Sequence, residues 1–136
     1  MTMTIQLSSL PKRPKVLPSK TIKTETGYGT IYVTITELEE GKPYEIFTSI
    51  GKGGSTTKAK AEAIGRLASL ALRHGVDVKE VIKALIDISG SRPYATGKEL
   101  IKSIPDAIAK TLKSVYGGEN DLRKETKTDE EGSFNE

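Results

Sequence analysis

The chain has no cysteine and no tryptophan, and only one histidine among its 136 residues. Without cysteine there can be no disulfide, thiolate nucleophile, thiol redox step or iron–sulfur cluster, and with a lone histidine no ordinary zinc site is expected. Hydrophobic residues make up 35% of the chain and aromatics 5%, against roughly 45–50% apolar in an average globular domain. The core is therefore expected to be small and built from Ile, Leu, Val and Ala. No apolar run approaches the roughly 18 residues that suggest a membrane span. The opening MTMTIQLSSLPKRPK lacks the apolar stretch and cleavage pattern of a secretory signal, so a soluble, cytoplasmic protein is expected. No metal and no cofactor is expected.

Charge is what the chain has in abundance, and it is unevenly placed. The net charge of +3 conceals three zones. A basic arm, residues 1–19, is Pro-rich (Pro11, Pro14, Pro18) and carries Lys12, Arg13 and Lys15 without an acid; Lys20 follows it directly. Residues 20–116 have the apolar patterning of a single folded domain. Residues 117–136 hold seven acids against three bases, with Leu122 and Phe134 as their main apolar residues; such a segment buries too little surface to offset its ordering entropy, so a disordered tail is expected.

Within the folded unit the hydrophobic period changes once. Thr21 to Thr26 is β-rich and Gly27-Tyr28-Gly29 is a turn signal. Ile31, Val33 and Ile35 then alternate with Tyr32, Thr34 and Thr36, which predicts a half-buried strand from Thr30 to Leu38. A polar turn separates it from a third strand, Tyr44 to Ile50. After Gly51–Ser55 the period becomes helical. A helix to Arg73 is expected, capped by Ser55 or Thr56, with Ile64, Leu67, Ala68 and Ala71 as its buried stripe and Gly75 as its left-handed terminator. Asp77 followed by Glu80 resembles a capping box for a second helix ending near Ile88. Residues 89–99 read as a loop. Ser103, Pro105 and Asp106 open a third helix. The order β-β-β-α-α-α predicts an α+β fold, a three-stranded antiparallel meander with three helices on one face.

Four groups of residues could carry chemistry. Gly51, Lys52, Gly53, Gly54, Ser55 and Thr56 form a glycine-rich turn leading from a strand into a helix, where free backbone N–H groups and the helix dipole favour an anion. It is not a phosphate-binding loop of the Walker type, because Gly53 follows Lys52,. Arg92 and Tyr94, with Lys98, sit in the loop; Arg92 beside Pro93 offers a planar fork suited to phosphate or carboxylate. A joint site of Gly51–Thr56 and Arg92 is expected. Glu37, Glu39 and Glu40 are expected to be solvated at a turn, and His74 simply to complement its helix end.

Two resemblances add to this. The segment GKGGSTTKAKAEAIGRLASLAL, with Lys52, Lys58, Lys60 and Arg66, is similar to the third-strand-to-helix half of a double-stranded-RNA-binding domain, which implies a nucleic-acid partner. The broader resemblance covers about residues 13–117. Gly41-Lys42-Pro43 before Glu45-Ile46-Phe47, the Gly51–Ser55 turn, Gly90-Ser91-Arg92-Pro93 and Ser103-Ile104-Pro105-Asp106 together resemble the TSCPD domain. That domain resembles the C-terminal region of adenosylcobalamin-dependent, class II ribonucleotide reductases and also occurs in small separate proteins. Ile104 stands where the cysteine of its naming motif falls. Ribonucleotide reduction needs a cysteine radical and a thiol pair, so the resemblance implies an accessory or regulatory module of DNA-precursor synthesis. Its implied partner is a class II reductase catalytic chain, with a nucleotide as a further ligand class.

Overall fold

The computed structural model describes residue 10, residues 12–52 and residues 54–117. Pro11, Gly53, the first nine residues and the acidic tail from 118 onward lie outside the described residues. Three strands, β1 (Ser19–Thr26), β2 (Gly29–Glu39) and β3 (Lys42–Ile50), form an antiparallel sheet in the order β1-β2-β3. Helices α1 (Ser55–Arg73) and α2 (Val78–Leu85) follow, then a two-residue ladder of β4 (Tyr94–Ala95) with β5 (Leu100–Ile101), and finally α3 (Ile104–Tyr116). The expected α+β meander followed by helices is what forms, with a short ladder whose first strand falls inside the segment read as a loop and whose second follows it directly.

Alternation on β2 sets the core. Ile31, Val33 and Ile35 are fully buried, and their register partners Ile50 and Ile46 share that face. The opposite face leaves Tyr32 and Phe47 exposed. The helix α3 lies beneath β1 and β2 with Ala107, Ile108 and Leu112 fully buried, and α2 packs chiefly against α3. The helix α1 runs along β3. It approaches closely because it is thin there: a Cβ on Gly65 would lie 3.0 Å from the Ile46 carbonyl oxygen. Ser69 Oγ accepts from Ile46 N at 2.8 Å and donates to Ile46 O at 3.2 Å, closing the β3 edge at that point,.

Several local expectations are corrected. The most buried face of α1 is Ala61, Gly65, Ala68 and Leu72; of the expected stripe Ala68 is buried, Ile64 and Ala71 are half-buried against the core, and Leu67, 67% exposed, faces out. The stripe is rotated because small residues must face β3. Gly54, not Ser55 or Thr56, is the N-cap, and no side chain caps α1. At α2, Asp77 accepts from Lys79 N at 2.9 Å. The helix stops at Leu85, three residues early, because Asp87 takes φ +64° and gives its N–H to the Asp106 carboxylate at 2.7 Å. Ser103 does cap α3, accepting from Asp106 N at 3.1 Å. Glu37 is buried, not solvated: a bulge between Thr36 and Glu37 turns it inward, where it accepts from Tyr116 Oη and from Gly41 N.

Candidate anion-binding end

A knot of charges holds the loop that precedes α3. Asp106 is fully buried, and its carboxylate accepts from Asp87 N, from Lys102 N at 2.8 Å and from Lys110 Nζ at 2.9 Å. Burial works against the Lys110 charge, but the hydrogen bond and charge of Asp106, helped by Asp87, hold its pKa above the ordinary lysine value. Asp87 is held below the ordinary carboxylate value, first by its hydrogen bond with Lys102 and against some desolvation. Ser103 Oγ donates to Ile88 O at 2.6 Å, and Gly90 N donates to Lys102 O at 2.9 Å. These bonds fix residues 87–90 against the start of α3.

That loop meets the β1–β2 turn. Tyr28 Oη and Ser91 Oγ are 3.1 Å apart, and the Arg92 guanidinium lies 5.7 Å from the Tyr28 ring centre. The Ser91 hydrogen bond is the main reason that the Tyr28 hydroxyl titrates below its ordinary value, with Arg92 adding to it and desolvation opposing. Two glycines make the contact possible. A Cβ on Gly27 would overlap the Arg92 carbonyl oxygen, and one on Gly90 would lie 3.3 Å from Tyr28 Oη and 3.1 Å from Ser103 Cβ.

The register places the glycine turn at the same end. Thr26 pairs with Gly29 and Ile31 with Ile50, so the Tyr28 turn and the Gly51 turn leave the sheet side by side. Gly51, Lys52, Ser55 and Thr56 therefore stand at the end of the sheet where Arg92 is held by Tyr28. No hydrogen bond joins Arg92 to the described part of that turn. Tyr94 lies further along, half out in solvent on β4. No acid stands in the first turn of α1, and Lys52, Lys58, Lys60 and Arg92 form no ion pair with a described carboxylate.

Between these elements lies a cavity of about 230 Å³ lined by Tyr28, Thr57, Lys60, Ile88, Ser89, Gly90, Ser103, Ile104 and Pro105. Sequence reasoning singled out Lys60 as part of a basic cluster but passed over Tyr28, Thr57 and Ser89. In the sequence Gly90 belongs to the Gly90-Ser91-Arg92-Pro93 motif; that it borders Tyr28 depends on the fold. His74 does complement its helix end, with Nδ1 2.9 Å from Leu70 O. Among the described residues there is no group of three or more metal-capable side chains, and no helix is long and apolar enough to cross a membrane.

A family model described as the TSCPD domain matches residues 3–116. That domain is found in class II ribonucleotide reductases. No curated protein and no solved structure matches the chain.

Proposed function

Because this chain belongs to the TSCPD domain family, we propose that it is a non-redox accessory or regulatory module of class II ribonucleotide reduction, and so of DNA-precursor synthesis. One observation carries this reading: the family match spans residues 3–116 of a chain that contains no cysteine. A thiyl radical and a reducing thiol pair must come from elsewhere, so the chain's part is to bind. Adenosylcobalamin does not fit here. The open groove between β3 and α1, about 470 Å³, and the 230 Å³ cavity beside Tyr28 are both too small for a corrinoid with its nucleotide tail.

The surface we propose for binding is the end built by Gly51–Thr56 and Arg92. The uncapped start of α1 leaves N–H groups free to meet an anion,, and the unpaired cations beside it favour an acidic segment or a phosphate. The test uses purified chain and a purified class II reductase catalytic chain from the same source. Alone, with adenosylcobalamin and a dithiol, this chain is expected to reduce no ribonucleotide. Added to the catalytic chain, it is expected to bind in calorimetry and to change the turnover rate. Turnover by this chain alone, or neither binding nor a rate effect on the reductase, overturns the reading.

The four unpaired cations also favour a second reading, a nucleic-acid-binding module. In that case binding to duplex RNA weakens steeply with salt, and the log–log slope reports the phosphates neutralised.

A further inference from the structure

The cavity beside Tyr28 has the walls of a small-molecule site. Four separate segments build it: the β1–β2 turn, the first turns of α1, the loop 88–90 and the start of α3. Its geometry is held in place. Tyr28 is fixed by Ser91, by Arg92 over its ring and by the close approach of Gly27 and Gly90 to their neighbours. The Ile88 carbonyl is anchored by Ser103 Oγ. Sites for small ligands combine apolar walls with a few convergent polar groups, and this cavity has both.

The apolar part is the Tyr28 side chain with Ile88, Ile104 and Pro105. Ile88 is 42% exposed and has room to be covered. The polar part is Lys60 with the hydroxyls of Thr57 and Ser89, and none of the three has a hydrogen bond or ion pair within the described residues. The Ser103 hydroxyl is already committed, to Ile88 O and Asp106 N. Free donors are therefore one ammonium and two hydroxyls, a set suited to a phosphate group. Arg92, 5.7 Å from the Tyr28 ring centre, does not line the cavity but adds positive charge near it. No carboxylate lines the cavity. An aromatic wall beside phosphate donors, in an open space of about 230 Å³, suits a flat ring joined to a phosphate.

We propose that this cavity binds a small phosphate monoester bearing a planar ring, such as a nucleoside 5′-monophosphate, with Lys60, Thr57 and Ser89 at the phosphate and Tyr28 and Ile88 at the ring. The proposal rests on the anion-binding reading above and deepens it: it moves the ligand from the surface of the glycine turn into the cavity behind Tyr28, and it adds a requirement for the ring.

The test titrates the full chain with adenosine 5′-monophosphate, adenosine and inorganic phosphate, read by backbone amide NMR shifts. Adenosine 5′-monophosphate is expected to move the amides of Thr57, Ser89 and Gly90 and to bind about tenfold or more tightly than either fragment, as joined ring and phosphate contacts should. Lys60→Ala, an exposed helix position that tolerates alanine, is expected to weaken the monophosphate about tenfold while leaving adenosine unchanged, because a charge-assisted contact is lost. Thr57→Val keeps the side-chain shape and is expected to weaken it less. Equal binding of inorganic phosphate and the monophosphate, or no effect of Lys60→Ala, overturns the cavity proposal. Shifts confined to residues 51–56 also overturn it while leaving the surface anion reading intact. No shift with any probe removes both ligand readings, whereas association with the reductase is judged by its own calorimetry.

Discussion

At the scale of single residues, Asp106 matters most. Its carboxylate is fully buried and serves two backbone N–H groups and Lys110 at once. Removing it leaves the part-buried Asp87 and Lys102 N–H groups without their partner, at about 1–3 kcal/mol each, while Lys110 Nζ keeps Leu100 O at 2.6 Å and Asp87 at 3.6 Å. Asp106→Ala is therefore expected to take a large part of the stability of a domain this size, measured as the midpoint of urea unfolding. A loss below about 1 kcal/mol would show that water or rearrangement replaces the carboxylate. The charges around it also set a pH dependence. Asp87 has a folded pKa below its ordinary 3.8, so its contribution is present above that value and is lost as pH falls through the lower folded one. Lys110 is held above its ordinary 10.5, so its contribution is present below that value and is lost as pH rises through the folded one. Asp87 is exposed, so its share is small. Melting temperatures of the wild type and Asp87→Asn, compared between about pH 5 and pH 2, should converge as pH falls. Parallel curves across that range would mean that Asp87 contributes nothing through its charge.

At the scale of elements, the start of α1 is left unfinished. Helices of this length usually carry Ser, Thr, Asp or Asn at the N-cap, whereas this one has Gly54 with extended φ and ψ and no side-chain cap,. A Cβ at Gly54 meets nothing within 4 Å. Gly54→Ser is therefore expected to raise stability by about 0.5–1 kcal/mol, through the cap and through a less flexible unfolded chain, read as a higher melting temperature. A lower melting temperature would mean that the glycine is needed for the shape of the turn. Apolar periodicity alone permits Ile64, Leu67, Ala68 and Ala71 as the inner stripe, but Leu67 faces out and Gly65 faces in, where the missing Cβ lets the Ile46 backbone lie against the helix.

At the scale of the whole molecule, the described fold ends with α3 at Tyr116, and the family match ends at the same residue. Tyr116 is itself anchored to Glu37 on β2. Removing residues 119–136 is therefore expected to leave the melting temperature within about 5 °C, on the order of 1 kcal/mol for about 100 residues. A larger drop would show that the acidic segment contributes to the packed unit. The basic arm differs, because Arg13 Nε donates to Glu45 Oε2 at 2.8 Å and Pro18 O accepts from Glu37 N at 3.0 Å. The arm is thus tied to the sheet before β1 begins, a link that its Pro-rich composition does not announce.

The sequence by itself determined the class of fold and the limits of the chemistry. Alternation at Ile31, Val33 and Ile35 needs only the two-residue period of a strand, the caps at Asp77 and Ser103 need only their own next turn, and the lack of cysteine needs no structure at all. The tertiary structure decided whatever depends on residues far apart in the chain. Asp106 and Asp87 are 19 positions apart and Tyr28 and Ser91 are 63 apart. Which side of α1 turns inward, where α2 stops, why Glu37 is buried and which residues line the cavity beside Tyr28 all follow from such meetings. Local periodicity records what a residue's neighbours in sequence allow. Burial and binding are settled by the neighbours that packing brings in.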